Sequence, residues 1–346
     1  MGATYGPAEH FQRRAPHPYE QERSHPVTEN KTVLLKDLFM QMCRIRFFEE
    51  KVMELRASED IVGSVHLCNG QEAISVGAVS ALDMTKDLVF PTYRGHGYTL
   101  ACGAPPEKVF AELLGRETGL NGGRGGSAYH FAPSYGMYGE NSIVGAGTVI
   151  ASGAALAAQY DGSGRVTVAI IGDGAMNQGS VHEALNFASI RRLPTIFIIE
   201  NNRYSELTPT KDMVRLERLF TRASAYGIQG VRIDGNNVMT VRATMIEAVK
   251  RARSGSGPVL IEAMTERLVG HYIGDAQHYR PEGEIDAALE REPLVRAREE
   301  LLRAGLESTE IDWLERDARL EIENAADTAL TAPIADPRSV QEHLYA

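Results

Sequence analysis

Val166-Thr-Val-Ala-Ile-Ile-Gly-Asp-Gly-Ala-Met-Asn-Gln-Gly179 and, shortly after it, Leu193-Pro-Thr-Ile-Phe-Ile-Ile-Glu-Asn-Asn202 are two apolar runs that each end in small or polar residues. Residues 166–171 and 195–200 read as buried strands, because a strand covered on both faces shows a continuous apolar run rather than an alternation. Between them, Val181, Ala184, Leu185 and Ala188 fall on one stripe of a helix over residues 180–191. Strand, turn, helix and strand in that order make a crossover unit of a parallel sheet. Ligands in such folds sit at the carboxyl ends of the strands.

Those ends carry Gly172-Asp-Gly174 and Asn201-Asn202, separated by the 26 residues from Ala175 through Glu200. That is about the length of a crossover helix and its returning strand. Magnesium takes oxygen ligands, usually one or two carboxylates with phosphate and water filling the octahedron. The helix start after Gly179 offers backbone donors and the positive end of its dipole to a phosphate. The two strand ends therefore read together as a clamp for Mg²⁺ and an anionic cofactor, although each alone reads as an ordinary turn or loop start. A Walker loop, GxxxxGK[ST], is absent. The GxGxxG of a nicotinamide site also fails: its third glycine falls too late, at Gly179, and the second strand ends in amides where a ribose-binding carboxylate is needed.

Working outward, the pattern continues as a small-residue helix over 149–160, a strand near 230–233, a helix over 240–252 and a strand over 258–264. The fold class is α/β, a parallel sheet with helices on both faces. Upstream, Leu34, Leu35, Leu38, Phe39, Met42, Ile45, Phe48 and Val52 recur at intervals of three and four, predicting an amphipathic helix over 33–55. A second helix is predicted over 71–81. Residues 95–147 are dense in glycine, which reads as surface loop or as close backbone approach to a ligand. Residues 1–31 hold almost no aliphatic side chains and are expected to form a flexible arm. Residues 32–290 form the α/β domain, and residues 291–346 a C-terminal helical region.

The chain has 346 residues, 43% of them hydrophobic, with a formal net charge of −10. That charge argues against a nucleic-acid backbone or an anionic membrane surface as the main partner. Cys43, Cys68 and Cys102 form no CxxC pair and no zinc-like spacing, so a reducing cytoplasm is the expected location. No apolar stretch is long enough to span a bilayer.

Around the strand ends lie further ordered segments: Arg46-Phe-Phe-Glu-Glu50, His66-Leu-Cys-Asn-Gly-Gln-Glu-Ala73, Tyr93-Arg-Gly-His-Gly97, Gly122-Gly-Arg-Gly-Gly-Ser127, Ile143-Val-Gly145, Glu200-Asn-Asn-Arg-Tyr204 and Gly270-His-Tyr-Ile-Gly-Asp275. With Gly172-Asp-Gly174 and its spacing to Asn201-Asn202, the chain from about Val33 to Glu284 resembles one known family. This is the alpha subunit of the thiamine diphosphate-dependent, decarboxylating component of 2-oxo acid dehydrogenase complexes, including the acetoin branch.

The resemblance implies the thiamine diphosphate-binding fold and a division of labour among the residues. Asp173 and Asn202, with the backbone carbonyl of Tyr204, would hold Mg²⁺. Tyr93, Arg94 and His271 would contact the diphosphate, and Val144, Gly172, Gly174 and Ala175 would line the cofactor. Arg94 offers a bidentate cation to phosphate. His271 could also move protons during catalysis. His66 is a second catalytic candidate, with a structural role equally open for it and for His96. The glutamate that activates the cofactor comes from a separate beta subunit in this family, implying an alpha2-beta2 heterotetramer. The family's acyl unit, taken from a 2-oxo acid or acetoin, passes to a lipoyl-bearing acyltransferase. The small residues from Gly145 to Ala158 suit an interface or a core helix. Two alternatives stand beside this reading: an acyloin-forming or transketolase-like alpha-beta enzyme without a lipoyl partner, and a scaffold that has lost catalysis. Asp173, Asn202, Arg94 and His271 speak against the second. Three places depart from the family pattern: Glu206 puts a charge near the entrance, Tyr272 stands where pyruvate-type members carry a phosphorylated serine, and the segment around Glu266 lacks a tyrosine often found there.

Overall fold

The computed structural model describes residues 31–342; the expected N-terminal arm, apart from Lys31, and the last four residues of the tail lie outside them. The chain runs through α1 (Lys31–Ala57), α2 (Glu72–Val79), β1 (Leu88–Phe90), α3 (His96–Ala101), α4 (Pro106–Leu113), α5 (Ala146–Asp161), β2 (Thr167–Gly172), α6 (Gly179–Arg191) and β3 (Thr195–Asn201). Then come β4 (Tyr204–Ser205), β5 (Thr208–Pro209), α7 (Thr210–Met213), β6 (Gln229–Asp234), α8 (Val238–Arg253) and β7 (Val259–Met264). The chain continues through α9 (Glu284–Leu289), α10 (Pro293–Arg303) and α11 (Ser308–Thr331).

Five strands form one parallel sheet in the order β1-β2-β3-β7-β6. Successive side chains of a strand point to opposite faces, and each face is covered here. Val168, Ile170, Ile196 and Ile198 pack with Ile74 of α2 and Val241 and Met245 of α8. Ala169, Ile171, Phe197 and Ile199 pack with Ala151 and Ala155 of α5 and Val181 and Leu185 of α6. Two-sided burial is the physical reason why these strands read as uninterrupted apolar runs.

A further helical layer covers α2. Leu38, Met42 and Ile45 of α1 pack against Leu301 of α10 and Ile311 and Ala318 of α11. One helical turn on, Phe48 and Val52 meet Phe110 of α4 and Ile322 and Ala326 of α11. Arg46 joins the layers, bonding Glu72 at 2.6 Å and Glu292, the N-cap of α10, at 2.7 Å. Within the predicted helical tail, α10 and α11 both dock on α1.

The glycine-dense region holds more structure than its composition predicts. It contains α3 and α4, and its glycine run wraps one buried carboxylate: Glu112 accepts the backbone amides of Asn121 at 2.7 Å, Gly123 at 2.9 Å and Gly125 at 2.5 Å. Gly123 has φ +75° and its missing Cβ would stand 2.5 Å from the Gly115 carbonyl carbon, so a side chain there would break the wrap. In α5 the sequence left core and interface open, and the helix shows both faces. Ala151, Ser152, Ala155 and Ala158 are buried, while Val149 and Ile150 are each 48% exposed. Among the described residues no helix is long and apolar enough to cross a membrane.

Candidate active site

Every parallel strand delivers its carboxyl end to one edge of the sheet, and the predicted residues follow those ends. Tyr93 and Arg94 come after β1, Asp173 after β2, Asn202 and Tyr204 after β3, and His271 after β7. The register pairs Gly172 with Glu200, and Asn201 with Met264, so the ends stand level.

Asp173 is buried, 1% exposed. Its Oδ1 accepts the Gly174 amide at 3.0 Å and its Oδ2 accepts the Thr210 hydroxyl. Burial pushes its carboxyl up to about 6, against the pull of those two hydrogen bonds. A Cβ on Gly174 would stand 2.2 Å from the Ser205 hydroxyl, so glycine is what lets the β2 end and the Tyr204-Ser205 segment meet. A Cβ on Gly172 would meet nothing within 4 Å, which leaves room above the strand end.

Asn202 is oriented from below. Its Nδ2 donates to Gln71 at 3.1 Å and its Oδ1 accepts the Tyr204 amide at 3.2 Å. Gln71 in turn donates to Glu200 at 3.3 Å, and the Tyr98 hydroxyl donates to Glu200 at 2.8 Å. Burial raises the Glu200 carboxyl to about 7. Arg203 (φ 70°) and Glu206 (φ 54°) flank Tyr204 and its neighbour in the left-handed region, an uncommon backbone for such side chains. The charge expected of Glu206 at the entrance is exposed at a two-residue hairpin tip between β4 and β5, while its carbonyl accepts from Arg267 at 2.9 Å.

The other half of the site is basic. Arg94 donates to the carbonyls of Leu67 and, at 2.8 Å, His271. Arg267 stands 3.1 Å from His271 Nδ1 and donates to the Tyr279 hydroxyl at 3.1 Å. Arg94 is 6% and Arg267 1% exposed, and among the described residues no carboxylate lies within ion-pair distance of either. Burial, with Arg94 nearby, lowers Arg267 to about 10. Two buried guanidiniums without a carboxylate partner are costly unless an anion joins them.

The His66 ring lies 4.5 Å from Tyr93 and 4.9 Å from His271, and its Nδ1 is buried without a hydrogen-bond partner. Tyr272 joins the group, its ring 6.3 Å from that of His271. Burial and the two arginines push His271 down to about 4, and burial with Arg94 pushes His66 down to about 3. His271 is therefore neutral at physiological pH and able to accept a proton. In an NMR titration of the ligand-free chain its imidazole should titrate near pH 4, and Arg267→Gln should move the midpoint upward by removing a like charge. A midpoint at the ordinary 6.5 would contradict this geometry.

Val144 is an outlier, 42% exposed on the rim before α5, and Ala175 is packed in the core below Asp173. The rest form an acidic-amide half beside a basic half, which fits a Mg²⁺-diphosphate group by the chemistry of its donors. Sequence reading missed Arg267, Thr210 and the orienting role of Gln71. Arg267 follows the end of β7, and a charged residue just past a buried strand was its only signal.

Residues 40–338 match the family model described as dehydrogenase E1 component. The chain belongs to this family. Its members are oxidoreductases, and three relatives are each 38% identical to this chain. The alpha subunit of acetoin:2,6-dichlorophenolindophenol oxidoreductase from Bacillus subtilis matches over 92% of this chain and 95% of its own length. The pyruvate dehydrogenase E1 component subunit alpha of Zymomonas mobilis matches over 90% and 87%. The acetoin:2,6-dichlorophenolindophenol oxidoreductase alpha subunit of Cupriavidus necator matches over 90% and 94%. At the sheet's carboxyl edge this chain sets the buried Asp173 carboxylate beside the buried Arg94 and Arg267 guanidiniums.

Proposed function

We propose that this chain is the alpha subunit of a thiamine diphosphate- and Mg²⁺-dependent dehydrogenase. It decarboxylates a pyruvate-like 2-oxo acid or cleaves acetoin, and passes the acyl unit to a lipoyl carrier. The observation that carries the reading is the buried arginine pair standing beside a buried carboxylate at the mouth of the sheet, in a chain whose relatives are named for pyruvate and acetoin.

Asp173, Asn202 and the Tyr204 carbonyl are the proposed Mg²⁺ ligands, and Arg94, Tyr93 and His271 the diphosphate contacts, with Arg267 added by the geometry. Gly172, Gly174, Ala175 and Val144 line the cofactor in this reading. When bound, thiamine diphosphate supplies the electron sink for cleaving the bond next to the substrate carbonyl. The chain's own residues orient it, exclude water and keep two histidines, His271 and His66, uncharged beside it.

The site is proposed to be completed by a beta subunit in an alpha2-beta2 assembly. The relatives' names as alpha subunits support a partner, and so does an uncovered apolar surface next to the rim. Ile143 is 71% and Ile150, near the start of α5, 48% exposed, large apolar side chains of the kind a docking partner covers. A cytoplasmic location remains part of the proposal, supported by three free, buried cysteines.

The test is dye reduction by the chain co-purified with its beta partner, across pyruvate, branched 2-oxo acids and acetoin. Turnover of one of these that requires both thiamine diphosphate and Mg²⁺ is expected. Acyloin formation without any transfer to lipoamide would replace the lipoyl assignment, and no turnover with cofactor bound would overturn the dehydrogenase reading.

A further inference from the structure

Outside the proposed cofactor site, His96, His130 and Glu140 bring one ligand atom each within 4.8 Å of one another, and all three are buried. His130 is 0% exposed and, among the described residues, neither of its ring nitrogens has a hydrogen-bond partner. Its Nδ1 stands 3.1 Å from Glu140 Oε1, close enough for attraction but misaligned for a hydrogen bond, and Glu140 Oε2 has no partner. A buried imidazole and a buried carboxylate oxygen left without partners are costly to the fold.

Two features prepare this space for a cation. Glu49 Oε2 lies 2.9 Å from His96 Nδ1, fixing the ring from behind as a carboxylate does for a metal-bound histidine. That leaves His96 Nε2 on the inner side, 2.9 Å from the Ser127 hydroxyl and 3.2 Å from the Ser127 carbonyl, contacts that it would exchange for the ion. Gly95 makes room for the carboxylate, since a Cβ there would stand 2.5 Å from Glu140 Cγ. The hydroxyl of Thr99 also reaches Glu140 Oε1, at 3.2 Å.

We propose that His96, His130 and Glu140 bind a structural Zn²⁺ ion that ties the loop over residues 126–145 to α1 and α3. Two imidazoles and one carboxylate form a zinc set rather than a magnesium set, because Mg²⁺ prefers oxygen alone. Ligands on a tetrahedral zinc stand roughly 3.4 Å apart, so the three groups close by about an ångström on binding. The loop so held ends at Val144 and Gly145, which places the ion one step behind the rim of the cofactor site.

The experiment titrates Co²⁺, then competing Zn²⁺, into the chelator-treated chain copurified with its partner, reading Co²⁺ absorption and bound metal per chain by mass spectrometry. One equivalent with micromolar or tighter affinity is expected. Glu140→Gln and His130→Gln should each weaken it at least 100-fold, Glu49→Gln 10- to 100-fold, and Asp173→Asn not at all. Limited proteolysis within residues 126–145 should be slowed by Zn²⁺ in the unsubstituted protein only. If His130→Gln does not fold, the near-isosteric Glu140→Gln decides. Uptake of no Co²⁺ or Zn²⁺, or the same uptake by a folded Glu140→Gln variant, would overturn the site.

Discussion

Asp173→Asn should abolish Mg²⁺-dependent retention of thiamine diphosphate and lower kcat/KM on the order of 1000-fold, and yet the metal-free chain should become more stable at neutral pH. The first half follows from removing a buried charge partner, a loss of about 4 kcal/mol. The second follows from burial, which raises this carboxyl from 3.8 to about 6 in the folded chain. Below pH 3.8 the group is protonated folded and unfolded, and its neutral burial contributes fully. As pH climbs through about 6 the unfolded chain has already ionised, so that contribution is lost. The shift of about two units corresponds to roughly 3 kcal/mol at pH 7, which an amide of the same shape does not forfeit. Urea unfolding of both chains at pH 7 without metal, and fluorescence or calorimetric titration with cofactor and Mg²⁺, test the two halves separately. An active variant at limiting Mg²⁺ would remove Asp173 from the metal site, whereas an equal or lower stability would show that the carboxylate is not held against its burial.

The two halves of this site differ in how far the sequence discloses them. Asp173 and Asn202 are legible because one crossover fixes both: a strand, a helix and the next strand set their distance along the chain, and β2 and β3 are neighbours in the sheet. Arg267 and His271 are not fixed that way. They reach the same rim because β7 inserts beside β3, with β6 outside it, and strand order is a tertiary choice that no local period encodes. The same limit applies to the fold. Long buried runs and the seam of α1 announce themselves, with ends a few residues from those read. The edge strand β1, only Leu88–Phe90, is too short to show a period. In the glycine run, composition reads as loop, and only the Glu112 carboxylate, accepting three amides, reveals why so many glycines are placed there. Arg94 and Arg267, both within 3.5 Å of His271 Nδ1, set that histidine's chemistry, and neither contact is encoded in the motif around it.

Arg267→Met should weaken binding of inorganic pyrophosphate, and of thiamine diphosphate, by roughly 150-fold, the effect of removing about 3 kcal/mol of charge-assisted hydrogen bonding. The fold should survive, because Arg267 is buried with no carboxylate ion-pair partner among the described residues and already has a depressed pKa; an unbranched apolar chain of similar length restores packing without the desolvation cost. Arg267→Lys should recover part of the affinity, since the charge returns without the planar fork that reaches His271, Glu206 and Tyr279 together. Isothermal titration with pyrophosphate separates this from a merely structural role, because loss of packing would lower stability and leave anion affinity to Arg94. Unchanged pyrophosphate affinity in a folded Arg267→Met chain would mean that the buried cation holds the Glu206 hairpin and the 275–280 segment in place. The diphosphate would then rest on Arg94, Tyr93 and His271 alone. A loss shared by pyrophosphate and the whole cofactor would instead make Arg267 the second wall of an anion site whose first wall is Arg94, the arginine that the family resemblance implies.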